Sequence, residues 1–350
     1  MTGMCVFDTL DQLIAHKMNA HLDGIVETDL TSKFPIPTED INSITDILDL
    51  IQFLKDNELD RICPKYHKLV SCEEIIRDFN QMVGLADPKA NIATQILSLC
   101  DKMSEKEEDP LLNTVIYGPP GCGKTTIAQF LAKLYLKFGV IESGKIIKGD
   151  RSNLIGQWVG ETAIKTKKVL TQALGGILFI DEAYQLGHAA DGNRCPFAYE
   201  CINTITQFIT ENKGNITIIL AGYKKDIQEN FFAQNEGLDR RFPWKYTLEQ
   251  NTPNELAQIF TLQAKRSGYS VETDVDELTR FFQQEKDMFK YSGGDTQTLF
   301  DKCKMIHDKR MFSHLRSDKV IAKSDLNKGF TVYKKTKDVD QDTFPQWMYS

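Results

Sequence analysis

Nine consecutive residues, Gly118-Pro119-Pro120-Gly121-Cys122-Gly123-Lys124-Thr125-Thr126, bring three glycines, a lysine and two hydroxyls into one short loop. The order fits G-x-x-x-x-G-K-[ST], in which backbone N–H groups turn inward as an anion nest at a helix N-terminus. In such a loop Lys124 reaches the β- and γ-phosphates and Thr125 offers its hydroxyl to Mg²⁺. The expected ligand is a nucleoside triphosphate. Farther along, Ile177-Leu178-Phe179-Ile180 leads into Asp181-Glu182. An apolar strand ending in two carboxylates sets acids at the sheet edge where ligands bind. Asp181 is expected in the Mg²⁺ shell, and Glu182 as the group that orients and deprotonates the attacking water. Strands ending in acids are common; the glycine loop before this one gives it weight.

These groups need strand–loop–helix units to carry them. Thr114-Val115-Ile116-Tyr117 is a β-branched and aromatic run before the loop, and Ile127-Ala128-Gln129-Phe130-Leu131-Ala132 is an apolar-rich helix start after it. Strands are predicted at Leu112–Tyr117, Lys145–Lys148, Ile177–Asp181, Ile216–Ala221 and Trp244–Leu248, with helices between them at about 124–138, 161–174 and 199–212. Such alternation predicts an α/β fold, a parallel sheet of the P-loop NTPase kind with helices on both faces. After Gln250 the pattern is all helical. Thr252-Pro253-Asn254-Glu255 is a capping box with proline at the first helical position, and helices near 253–266, 273–290, 295–315 and 324–330 make a small lid domain.

Upstream, Ile41, Ile44, Ile47, Leu48, Ile51 and Leu54 fall at helical spacing, so Thr38–Lys55 is read as an amphipathic helix capped by Thr38. A second helical stretch, Ile75–Cys100, is broken at Val83-Gly84-Leu85-Ala86-Asp87-Pro88. The expected organisation is a helical N-terminal extension at 1–74, the α/β nucleotide-binding domain at 75–249, the helical lid at 250–330 and a tail at 331–350. The tail ends on the apolar tip Phe344-Pro345-Gln346-Trp347-Met348-Tyr349.

Composition narrows the class. The chain has 350 residues, 41% hydrophobic and 26% charged, as an ordinary globular protein does. It has no apolar run of roughly 18 residues and no basic-then-apolar start, so neither a membrane span nor a secretory signal is expected. A net charge of −7 argues against a protein that coats nucleic acid. Eight scattered cysteines suit a reducing, cytoplasmic setting rather than a disulfide framework. Cys63, His67 and Cys72 offer three ligands at irregular spacing where a structural zinc needs four, so they are read as core or surface residues. Asp101–Asp109 is a charge run, read as a solvated helix end and loop.

The glycine loop, the Asp181-Glu182 strand and the segment Leu154-Ile155-Gly156-Gln157-Trp158-Val159-Gly160-Glu161-Thr162 together resemble the AAA+ ATPases. Val159-Gly160-Glu161-Thr162-Ala163, Lys165-Thr166, Gly175-Gly176 and Leu220-Ala221-Gly222-Tyr223 resemble one branch, that of red-type Rubisco activase and the stage V sporulation protein K family. The resemblance covers about 75–330. It implies ATP and Mg²⁺ as ligands, ATP hydrolysis, a homo-oligomeric ring expected as a hexamer, and a protein client. Asn235-Glu236-Gly237-Leu238-Asp239-Arg240-Arg241-Phe242-Pro243 is similar to the segment that supplies arginine fingers to a neighbouring subunit, which makes Arg241 the first candidate and Arg240 its companion. Planar guanidinium donors match charge spread over phosphate oxygens. Trp158 and Val159 correspond to a pore loop that grips an extended polypeptide, and Gly187–Pro196 is a second pore-facing candidate. Val83 and Gly84 join the loop residues, Asp181 and Tyr223 as nucleotide-binding candidates.

Two departures stand out. Tyr223 occupies a place where many AAA proteins have a sensor asparagine. In the lid, Ser292-Gly293-Gly294-Asp295-Thr296 stands where the activase branch has an arginine, so no second sensor is assigned and Rubisco is a weaker guess for the client. The expected function is a mechanochemical, chaperone-like ATPase that pulls or threads a protein. The rival is a nucleic-acid motor on the same fold, for which Lys165, Lys167 and Lys168 would be the basic patch. They read better as a solvated helix face.

Overall fold

The computed structural model describes residues 41–61, 63–102, 111–158, 160–187, 195–235, 237–312 and 318–342. The expected cap Thr38, Val159, residues 188–194 of the second pore-facing stretch and the apolar tip at 344–349 lie outside them. The chain divides into two compact units. One takes the residues through Tyr117 and Thr125–Thr247, the other Gly118–Lys124 and Leu248 onward.

The first unit is built on a five-stranded parallel sheet. Its strands are β1 (Thr114–Tyr117), β2 (Ile146–Gly149), β3 (Ile177–Ile180), β4 (Thr217–Gly222) and β5 (Trp244–Thr247), in the order β2-β3-β4-β1-β5. β1, β3 and β4 are buried at every position, as central strands covered on both faces must be. Asp181 falls one residue beyond β3, in the following turn, rather than within the strand. Alternate residues Val115, Tyr117, Leu178, Ile180, Ile218 and Leu220 share one core cluster with residues of two helices, Glu161–Gln172 and Pro196–Glu211.

Among the described residues, four helices precede the sheet: α1 (Ile44–Asp56), α2 (Pro64–Ser71), α3 (Glu73–Asn80) and α4 (Ala86–Lys102). α1 is capped by Ser43, in a capping box with Asp46, so the described helix starts later than the predicted one. α2 was not predicted. Its Cys72 neighbour is buried, which pushes the thiol up to about 11, and among the described residues no cluster of His, Cys, Asp or Glu is placed to hold a metal. α5 (Lys124–Phe138) follows the glycine loop. Buried Gln95 of α4 donates to Tyr135 of α5 at 2.9 Å and accepts from Tyr246 of β5 at 2.6 Å. α6 (Glu161–Gln172) and α7 (Pro196–Glu211) follow β2 and β3.

The second unit holds α8 (Pro253–Arg266), α9 (Val275–Gln284), α10 (Ser292–Met311) and α11 (Lys323–Asp342) around a core rich in phenylalanine. α8 carries the expected Thr252/Glu255 capping box. Two features depart from the sequence reading. The unit is not all helical: β6 (Ser270–Val271) pairs in parallel with β7 (Val320–Ile321). Nor does the last helix end near 330, since α11 continues to Asp342. Past 330 its attachment is polar as much as apolar. Tyr333 stacks on Phe289 at 5.5 Å, while Lys334 reaches Glu285 at 3.0 Å and Lys337 reaches Asp295 at 2.7 Å. No helix among the described residues is long and apolar enough to cross a membrane.

Candidate functional site

The glycine loop leaves the end of β1 directly. Gly121 and Gly123 have φ of 75° and 101°, a backbone region that side chains avoid and that an inward-facing run of N–H groups requires. Gly121 is also closely approached: a Cβ there would overlap the carbonyl oxygen of Tyr291, and its own carbonyl accepts the Gly293 N–H at 3.2 Å. The buried Lys124 ammonium donates to the carbonyls of Gly118 and Pro119, both at 3.0 Å, so the cation is held against the loop itself. The Cys122 thiol donates to Pro119 at 2.8 Å and serves the shape of the loop.

The acids leave the same edge of the sheet. Across the register Tyr117 lies opposite Gly222, and Ile180 opposite Leu220. The ends of β1 and β3 are therefore two strands apart, roughly 10 Å. Glu182 sits at φ 50° and ψ 44°, a left-handed conformation that costs a non-glycine residue about 1 kcal/mol. Asp181 accepts the Glu182 N–H at 3.0 Å. Tyr184, on the next turn, hydrogen-bonds the Glu182 side chain, and its phenol is pushed up to about 12 by burial first and by that carboxylate second. The Tyr184 ring lies 6.4 Å from that of Tyr223, which follows β4 and is 41% exposed. Thr125 and Asp181 are exposed oxygen donors of the kind Mg²⁺ takes, so the residues present fit a metal–phosphate group.

The arginine pair lies on a tight turn, Asp239–Arg241, just before β5. It therefore belongs to the opposite edge of the parallel sheet from the acids. Arg240 is exposed. Arg241 is half-buried and donates to the Gly237 carbonyl at 2.7 Å and to the Thr210 hydroxyl.

Trp158 is 71% exposed and so is not a core tryptophan. The loop beneath it is strapped to the first turns of α6. Glu161 accepts the N–H groups of Gln157 and Trp158 at 3.1 and 3.3 Å, and Thr162 accepts that of Gly156 at 3.0 Å. Lys165 turns back to the Ile155 carbonyl at 3.4 Å, while Lys167 and Lys168 are exposed. Val83 and Gly84 lie in the turn between α3 and α4, where Gly84 and Leu85 both have positive φ. The Lys89 ammonium clamps that turn by donating to the carbonyls of Asn80 and Met82, at 2.9 and 2.6 Å, and burial pulls it below the ordinary lysine value.

Residues 114–243 match the ATPase family associated with various cellular activities (AAA). The chain is 33% identical over 269 residues to the cfxQ-like protein R730 of Acanthamoeba polyphaga mimivirus, an alignment covering 76% of this chain and 66% of that protein. It is 30% identical to the chloroplastic ribulose bisphosphate carboxylase/oxygenase activase of Cyanidioschyzon merolae, covering 70% of this chain and 86% of that one. The ESX-1 secretion system protein EccA1 of Mycobacterium tuberculosis is 34% identical over 52% of this chain, which spans only 32% of EccA1. The chain is an AAA ATPase. Within the family it groups with the CfxQ and Rubisco-activase proteins.

In this AAA ATPase several residues around the candidate groups have no sequence signature. Tyr184 reaches Glu182, but an Asp-Glu-Ala-Tyr string says nothing of where the phenol points. Asn113 accepts the Ile218 N–H at 2.7 Å and donates to the Arg241 carbonyl at 3.0 Å, joining positions 128 apart in the chain. Asp295, in the segment that stands where the activase branch has an arginine, accepts the Tyr291 N–H at 2.7 Å and pairs with Lys337, inside the stretch read as tail.

Proposed function

We propose that this AAA ATPase works as a homo-oligomeric ring, expected as a hexamer, that spends ATP hydrolysis on remodelling a protein client. Lys124 and the loop N–H groups bind the β- and γ-phosphates. Glu182 takes the proton of the attacking water, with its carboxylate oriented by Tyr184 and by its own fixed backbone. Tyr223, whose ring lies beside that of Tyr184, joins the nucleotide-binding residues. Held by Thr125 and Asp181, Mg²⁺ would neutralise charge on the phosphate oxygens. Arg241, with Arg240 beside it, completes the site of the next subunit.

The observation that carries the protein-client reading is Trp158, a large aromatic 71% exposed on a loop whose base is fixed by four side-chain hydrogen bonds or straps to α6. An exposed amphipathic ring on a rigid base is a means of gripping a polypeptide. Two relatives are named for work on proteins, the carboxylase activase and the secretion-system protein, which supports the same choice.

The test is ATPase activity of wild type and Trp158→Ala with an unfolded protein and with single-stranded DNA. The expected outcome is basal hydrolysis within a few-fold of wild type in the variant, with stimulation and remodelling by the protein client lost. Strong, salt-sensitive stimulation by DNA that vanishes in Trp158→Ala, with no response to protein, would instead identify a nucleic-acid motor.

A further inference from the structure

The Arg241 guanidinium is held by three hydrogen bonds within the chain. Its Nε and Nη2 both donate to the Thr210 hydroxyl at 3.2 Å, and Nη1 donates to the Gly237 carbonyl at 2.7 Å. The Thr210 hydroxyl in turn donates to the Thr206 carbonyl at 3.0 Å. A threonine hydroxyl has one donor and two acceptor positions, so all of its capacity is used.

The turn that carries the arginine is tied to the same helix a second time. Asn203 of α7, two turns before Thr210 on the same face, accepts from the Asn235 amide at 3.0 Å, and Asn235 accepts the Gly237 N–H at 3.0 Å. From the sheet side Asn113 holds the Arg241 carbonyl, and Lys245 pairs with both oxygens of Asp239 at 2.7 Å. These contacts fix the backbone of the turn and one edge of the guanidinium. Three of its five N–H donors are taken, and two remain for an acceptor outside the chain.

We infer that Thr210 is a positioning residue for Arg241, holding one edge of the guanidinium so that its remaining N–H groups are presented to the phosphate oxygens of a nucleotide bound by the neighbouring subunit. The inference rests on the reading of Arg241 as a finger acting in trans. A flexible arginine would have to be ordered each time a phosphate is met, whereas a pre-set fork loses less freedom on contact. The sequence does not point to Thr210, which reads as one polar position among several on an amphipathic helix.

The experiment compares Thr210→Val, which keeps the shape and removes the hydroxyl, with Thr210→Ser, which keeps the hydroxyl, and with Arg241→Ala. Thr210→Val is expected to lower kcat by about tenfold to a hundredfold with the KM for ATP within about twofold, and Thr210→Ser to restore kcat to within about twofold. Mixing supplies a readout that damage to the variant's own site would not give. Thr210→Val keeps a sound hydrolytic site, and Glu182→Gln keeps a sound finger, so equimolar mixing should give more activity than the mean of the two alone. Arg241→Ala with wild-type turnover would remove the finger reading itself. An inactive Arg241→Ala beside a Thr210→Val of wild-type kcat would overturn the role of Thr210 alone. So would a Thr210→Val that neither Thr210→Ser nor mixing rescues.

Discussion

A carboxylate that takes a proton from water, the role proposed for Glu182, is useful only if its direction is fixed, and two features bear on that direction. Its backbone sits in a left-handed conformation just past the end of β3, and the Tyr184 phenol hydrogen-bonds the carboxylate. Glu182→Gln keeps size and shape but not the base. Turnover should fall by about 10²–10⁴, with ATP binding preserved. Lys124→Ala should instead weaken binding itself, because the cation held at the loop is removed. Equilibrium titration with ATP and turnover measured on the same preparations separate the two effects. A Glu182→Gln variant that hydrolyses like wild type would move the base elsewhere. Both residues stand out in the sequence as candidates, because the loop and the acidic strand end are runs of adjacent residues whose spacing is the signal. Tyr184, Asn113 and Thr210 do not, because each acts through a contact that only folding creates.

At the scale of elements the same contrast holds. The central strands were readable because they are buried on both faces, and α8 because its cap is written in consecutive residues. The end of α11 was missed because salt links to Glu285, just past α9, and to Asp295 of α10 help hold it in place of an apolar stripe. α10 hides another such device. His307 is fully buried against Tyr269, with Nδ1 3.1 Å from an Asp308 oxygen and Nε2 2.7 Å from the Asp318 carbonyl. Burial alone would push the imidazole down. The hydrogen bonds to Asp308 and Asp318 outweigh it, against some opposition from Arg310, and raise it above its ordinary value. Both partners are acceptors, so both ring nitrogens must carry protons for both bonds to form. The sign follows from linkage. A folded value above the unfolded value of about 6.5 gives stability that is fully present below 6.5 and lost as pH rises through the raised value. Protection of α10 amides against hydrogen exchange, corrected for the intrinsic rate, should decline over that window in wild type relative to His307→Gln. A difference between the two that does not change with pH would rule out the charged pair.

The whole molecule sets a constraint that no single residue reveals. In a parallel sheet the chain enters every strand at one edge and leaves at the other. Asp181 and Glu182 follow the end of β3, while Arg240 and Arg241 precede the start of β5. The Arg241 carbonyl is held by Asn113, next to the first residue of β1, which places the turn firmly at the entering edge. A four-residue strand is roughly 13 Å long, so the arginines and the carboxylates of one chain stand on opposite sides of the sheet. An arginine there is remote from Glu182 of its own chain, as the proposed action on a neighbouring subunit requires. Hydrolysis per subunit should therefore rise with protein concentration as chains associate, and Arg241→Ala should bind ATP normally yet lose turnover by about 10³ or more. Turnover measured over a dilution series, with the assembly state followed at each concentration by light scattering, checks both statements. A rate per subunit that stays flat down to a demonstrably monomeric protein would mean that each chain hydrolyses ATP alone, and the edge-to-edge separation of the arginines and acids would then have no catalytic meaning.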